Sequence, residues 1–193
     1  MKRILLSLLI PAVAQVAALA QSTWKADPPH SRIGFVITHL GISEITGAFN
    51  TFDVSIVSAK PDFSDAAFQL TVDVASIDTA VQQRDDHLRS PDFFEAANYP
   101  KMTFRSESIR AAGKDRYTLT GDTIHGVTKP ITADLWYRGT TTNQGKFTAG
   151  FQLTATLKRS DFNVGPKFPP PMIADEFVVK ADGEFIKQLP RIE

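Results

Sequence analysis

The chain has 193 residues, 21 basic and 21 acidic side chains, 14 phenylalanines and no cysteine. Balanced charge without a basic stripe gives nucleic acid nothing to hold, so no nucleic-acid partner is expected. The missing thiols exclude disulfides, thiol catalysis and thiolate-held clusters, and the length suits one domain with a sizeable core.

Residues 1–20 are read apart from the fold. Lys2 and Arg3 form a positive start, Ile4 to Ile10 with Pro11 to Ala14 form a short apolar run, and Ala18-Leu19-Ala20 fits a small-x-small cleavage site. The run is too short and too interrupted to span a membrane. Residues 1–20 are therefore expected to be a cleaved signal peptide and 21–193 an exported, soluble domain, with the periplasm as its destination. No cysteine follows the cleavage site, so no lipoprotein anchor is expected.

The remainder alternates. Ile33, Phe35 and Ile37 begin an apolar-at-every-second-residue pattern. Ile45, Gly47 and Phe49 continue it on odd numbers, whereas Phe52, Val54 and Ile56 are even; a bend near Asn50-Thr51 reconciles the two phases. Phe68, Leu70, Val72 and Val74 follow. Phe104, the 127–135 stretch, Phe147 to Leu157 and Phe177 to Phe185 repeat the pattern later in the chain. Period two implies antiparallel strands with one dry face. Turn chemistry separates them at Lys60-Pro61-Asp62, Ala112 to Asp115, His125-Gly126 and Thr142 to Gly145. Gly165 to Pro171 reads as a stiff extended connection at a rim. The expected fold is all-β: about eight strands, with one short helix after the fourth, forming an antiparallel sandwich or barrel rather than any βαβ architecture.

That helix is expected over Ala80 to Arg89, capped by Thr79 with Gln82 completing a capping box and ended by Ser90-Pro91. Val81 and Leu88 share its apolar face. Arg84 and Asp85 flank that face and are expected at the barrel mouth, with Asp86 pointing away.

The chemistry-bearing residues form no catalytic pattern. His30, His39, His87 and His125 lack metal-site spacing, so no metal is expected. None falls clearly on a cavity-facing apolar stripe, which argues against haem. Asp27, His30 and Ser31 supply triad residue types, but His30 and Ser31 are neighbours on a strand and face opposite ways. No catalytic residue and no enzymatic activity are assigned. The phenylalanines at 35, 49, 52, 68, 104, 147, 151, 177 and 185 share the inward phase. Small residues on the same faces (Gly47, Ala133, Ala149, Ala155, Ala181) leave space there.

In order and spacing, four blocks resemble one known family. They are Asp27 to Phe35 with His39; Asp73 to Asp78 leading into Arg84 to Phe94 and Tyr99 to Ser106; Leu119 to Ile131; and Arg159-Ser160-Asp161-Phe162. The chain resembles the YceI-like proteins over nearly all of 21–193. The resemblance implies an eight-stranded lipocalin-like barrel with an internal hydrophobic tunnel for a long-chain isoprenoid lipid, a polyprenyl lipid or an isoprenoid quinone. Asn163 stands where many relatives carry glycine. By strand phase, the tunnel lining is assigned to Phe35, Ile37, Phe49, Phe68, Leu70, Phe104, Phe151 and Leu153. Phe93 and Phe94 seal an end, and Arg84 and His87 stand at the mouth to meet a polar head. A bound isoprenoid lipid or quinone is the expected occupant, with no other cofactor. A membrane donor or acceptor protein and a homodimer are compatible partners. The rival reading is a packed barrel, a stress-related scaffold acting through its surface.

Overall fold

Alternating apolar residues interrupted by turn chemistry give eleven strand segments among the residues described. The structure is a computed structural model that describes residues 21–189. The expected signal peptide, residues 1–20, lies outside the described residues.

The segments are β1 (Ser22–Ala26), β2 (Arg32–His39), β3 (Ser43–Phe49), β4 (Phe52–Ser58), β5 (Ala67–Asp73) and β6 (Ile77–Asp78). After the helix α1 (Gln82–Arg89) come β7 (Lys101–Gly113), β8 (Arg116–Ile124), β9 (Thr128–Asn143), β10 (Lys146–Lys158) and β11 (Ile173–Lys187). Every pairing is antiparallel. β1 and β2 run in the same direction along β11, with Ala26 opposite Phe185 and Ile33 opposite Ala181. They are one barrel strand broken by a short turn at Pro28–His30. Likewise β4 pairs with β1 and β3 with β2, so β3 and β4 are one strand bent at Asn50-Thr51. The bend puts both Phe49 and Phe52 inside, as the phase change required. Counted this way the sheet is a closed eight-stranded up-and-down barrel, and α1 follows its third strand rather than the fourth.

The two ends differ. At the end holding the 59–66 loop, Phe63 turns inward and is 2% exposed. Its ring contacts Trp24, Tyr137 and Phe151 at centroid separations of 5.2, 5.0 and 4.9 Å. Tyr117 donates its hydroxyl to the Asp62 carbonyl and pins the loop. Phe63 reaches this position from a left-handed backbone, φ 58, which costs a non-glycine residue about 1 kcal/mol. The other end is covered by α1, the 90–99 segment and the 159–172 connection. That connection is not extended: Phe168 N–H bonds the Gly165 carbonyl and Met172 N–H bonds the Pro169 carbonyl, folding it across the rim.

Other expectations are corrected. The helix begins at Gln82 with Val81 as its unbonded N-cap, and Val81 is 46% exposed rather than packed beside Leu88. Thr79 does not cap; its hydroxyl donates to Asp85. Phe147 is 55% exposed, because the β9–β10 hairpin overshoots β11, whose pairing with β10 starts at Thr148. Gly47 leaves no free space, since a Cβ there would lie 2.3 Å from the Phe35 ring.

Replacing Phe63 by alanine keeps the left-handed residue but removes the plug. Denaturant unfolding of Phe63→Ala is expected to show a loss of about 3–5 kcal/mol; an unchanged midpoint would mean the ring does not close the barrel.

Candidate functional site

Closing eight strands leaves the inward side chains unable to fill the middle. The result is a cavity of about 300 Å³ walled almost wholly by apolar atoms. Cross-strand pairs build the wall. Phe104 lies opposite Leu70, Val179 is opposite both Phe35 and Ala155, and Leu153 is opposite Ala181. Residues directly opposite share a face, so these pairs stack in inward layers. Phe35, Ile37, Phe49, Phe68, Leu70, Phe93, Phe94, Phe104, Phe151 and Leu153 all line this cavity.

The two residues assigned to the mouth part company. Arg84 lines the cavity, but its Nε donates to Thr79 Oγ1 at 2.7 Å and its Nη2 to the Thr79 carbonyl at 2.8 Å. Asp85, buried beneath, accepts from the Thr79 N–H and hydroxyl. Thr79 therefore links the charged pair and anchors α1 to the sheet. His87 does not line the cavity. It is half exposed, meets Asp92 at 3.2 Å, and stands edge-on to Phe93 and Phe168 outside the barrel.

Several polar residues that periodicity did not pick out reach the cavity wall, among them His39, Thr123, His125 and Arg159. Arg159 is 7% exposed, and all its donor groups point to backbone carbonyls: Ala174, Val164, Gly165, Phe168 and Ile173. It clamps the 159–172 connection. A Cβ on Gly165 (φ 66) would lie 2.7 Å from Phe93, so glycine is required where this loop meets the end seal. Thr123 and His125, at the end of β8, also line the cavity, and His125 is 5% exposed. The expectation that no histidine faces the interior is thus corrected. Burial holds the His125 imidazole below its ordinary pKa of 6.5, against smaller opposing effects of the Phe94 carbonyl and Glu95.

Outside the barrel, Asp27, His30 and Glu184 place potential ligand atoms within 4.8 Å of one another. The group is exposed and already satisfied in part: His30 Nδ1 and Asp27 Oδ2 are 2.8 Å apart, and this bond chiefly raises the His30 pKa. Ser31 donates to the Glu184 carbonyl, so Asp27, His30 and Ser31 do not form a relay.

Residues 24–185 match the model of the YceI-like domain. The chain belongs to the YceI family. Protein YceI of Escherichia coli O157:H7 is 35% identical over 182 residues, 92% of each chain. A UPF0312 protein of Photorhabdus laumondii is 36% identical over 176 residues, 86% of this chain and 91% of the relative. Among solved structures, Burkholderia cenocepacia BcnA superposes with a TM-score of 0.72 at 29% identity, covering 82% of this chain and 98% of that one. A Saccharophagus degradans domain described as polyisoprenoid-binding superposes at 0.64 with 18% identity, covering 89% and 100%; at that identity the likeness is one of fold. Asn163 is in the left-handed conformation at φ 56, a region that asparagine tolerates better than most residues.

The buried imidazole has a consequence for acid stability. Above pH 6.5 His125 is neutral in both folded and unfolded chains. Below that value the unfolded chain takes up a proton that the folded chain refuses, so stability falls as pH falls, levelling off once the folded imidazole titrates. His30, whose pKa is raised, acts with the opposite sign and cancels when a variant is compared with the parent. Between about pH 7.5 and about pH 5, His125→Asn is expected to lose less stability than the parent in denaturant unfolding. Equal losses would place the imidazole in contact with water.

Proposed function

We propose that this chain is an exported carrier that holds the apolar tail of a long-chain isoprenoid lipid, a polyprenyl lipid or an isoprenoid quinone, and that it acts by sequestration rather than catalysis. The observation that carries this reading is the unfilled apolar cavity inside a closed barrel. A packed scaffold would have no use for it. The family, and the ligand class named for the S. degradans domain of the same fold, support the choice of an isoprenoid. The pattern of residues 1–20 supports the periplasm as the site of action. Exposed Leu40, Ile42 and Met172, at the end covered by α1, support exchange with a membrane or a membrane-bound donor.

The energetics set a length requirement. Burying one five-carbon unit contributes about 4 kcal/mol at roughly 0.8 kcal/mol per carbon. Association costs on the order of 4–15 kcal/mol. One or two units are therefore marginal, and affinity rises with chain length until the cavity is full.

Protein purified from Gln21 onward, extracted with organic solvent and analysed by lipid mass spectrometry, is expected to yield a stoichiometric long-chain isoprenoid. An empty barrel that also refuses added polyprenyl lipids and quinones would overturn the reading in favour of the surface-acting scaffold. Ala181 faces the cavity beside Leu153, so Ala181→Phe fills part of the space. In a series of isoprenoid alcohols, this variant should reach its affinity plateau at a shorter chain than the parent. A plateau at the same length would mean the tail lies elsewhere.

A further inference from the structure

The ladder of strands around the cavity is interrupted at one place. β4 passes it on to β5 from Phe52 to Val57. Beyond the bend at Asn50-Thr51 the same strand, as β3, bonds only the two-residue β6, through Ala48 and Phe49. Ser43 to Gly47 therefore have β2 on one side and, among the described residues, no strand on the other. The 79–81 segment and α1 stand across this gap. The antiparallel pairing of Ala48 with Asp78 sends residues 79–81 back along β3, and a Cβ on Gly47 would lie 2.9 Å from Thr79 Cγ2. Ile45 and Thr79, one from each side of the gap, line the cavity, as does Ile173 beside the hairpin.

Exposed apolar side chains surround the same place. Ile42 (85% exposed) and Leu40 (52%) form the tip of the β2–β3 hairpin. Met172 joins them, its carbonyl accepting from the Leu40 N–H at 3.0 Å, and Val81 is exposed on the α1 side. The turn itself does not call for leucine. Leu40 has a left-handed backbone, φ 53, where asparagine or glycine fits better, and its exposure favours the same exchange. Residues 40–43, 80–82 and 168–173 contain no Asp, Glu, Lys or Arg. Four aliphatic side chains, even if wholly exposed, fall short of the roughly 800 Å² that each partner contributes to a standard protein interface, so a second copy of the chain is a poor fit. Apolar tips on uncharged turns, gathered at the edge of an apolar cavity, suit a fluid acyl layer instead.

We propose that the 40–42 tip, Met172 and Val81 form a foot that inserts into the acyl layer of a membrane. Insertion brings the gap between β3 and α1 against the bilayer, and a lipid tail passes from one to the other without crossing water. The inference rests on the carrier reading and adds where the cargo enters and that its donor is the bilayer itself. The attachment is apolar. With no cation on the three turns and Glu44 beside the tip, an anionic surface offers no advantage.

The chain has no cysteine, so in protein from Gln21 onward Ile42→Cys takes a single environment-sensitive dye at the tip. With dioleoylphosphatidylcholine vesicles its emission is expected to shift to the blue and brighten. The same dye at Phe147→Cys, exposed on the β9–β10 hairpin at the plugged end, should stay unchanged. An unshifted dye at 42, an equal shift at 147, or a shift seen only with dioleoylphosphatidylglycerol vesicles would overturn the inference. Ile42→Ser alters an exposed side chain and leaves the cavity wall intact. Loaded from phosphatidylcholine vesicles that contain geranylgeraniol, it should reach the final occupancy of the parent at an initial rate at least about tenfold lower, the partitioning that one buried isoleucine supplies. Equal initial rates would place entry elsewhere and leave the carrier reading standing. A parent protein that takes up no geranylgeraniol, from vesicles or from detergent, would overturn both.

Discussion

Closure of the sheet through β11 is the constraint from which the rest of the molecule follows. Its fifteen residues bond β10 on one side, while on the other they bond β2 first and then β1. The break between those partners falls at Gly183, where the Pro28–His30 turn presses in. Ser31 Oγ would lie 2.7 Å from a Cβ on Gly183, and the Glu184 carbonyl accepts from Ser31 Oγ and the Asp27 N–H. With that join made, the main strands among the described residues close into a continuous ring. Strand number and stagger then fix its bore, and eight strands leave room for side chains and one ligand. The cavity is a consequence of closure, and the side chains at 35, 104, 151 and 153 give it an apolar wall.

A closed barrel still has two ends, and here they are shut by different forces. One end is a hydrophobic plug, Phe63 among Trp24, Tyr137 and Phe151, and its stability scales with buried area. The other is shut by directed hydrogen bonds from Arg159 to five carbonyls, with Arg89 tying α1 to the Ala75 and Ile77 carbonyls. Such a clamp is cooperative, because removing the guanidinium strands several carbonyls at once. Thr123 near the end of β8 and His125 just beyond it lie toward this second end, under the hydrogen-bonded cover and away from the aromatic plug.

The barrel was legible in the sequence because period two is a strong signal wherever one face is dry. The turn signal at 60–62 falls between strands, those at 112–115 and 142–145 hold the hairpin turns at 114–115 and 144–145, and the phase change between Phe49 and Phe52 proved to be a bend. The lining residues were legible for the same reason. What escaped lies outside regular elements, where periodicity says nothing about direction. Phe63 sits in a turn whose proline and aspartate read as solvent-facing, yet a left-handed residue swings its ring inside. Arg159 follows the end of β10, and only the folding of the 163–172 segment back over it shows why a charge is buried there. His125 reads as half of a His-Gly turn, although it keeps the inward parity of Thr123. His87 erred the other way: it is assigned to the mouth with Arg84, but it stands against Phe93 and Phe168 and does not line the cavity.

The cavity also bears on what the barrel is for through its effect on stability. Space left unfilled among apolar side chains forfeits the packing contacts that a filled core would make. Removing it would take few changes, because Ala155 and Ala181 face the space and are small. Mutation readily finds stabilising substitutions of that kind where function does not oppose them. A wall that keeps alanine at two such positions is poor design for a scaffold. It is good design for a container, since an occupant that fills the space recovers the lost contacts each time it binds. On this account the lipid completes the core, and the empty barrel is the less stable of its two states.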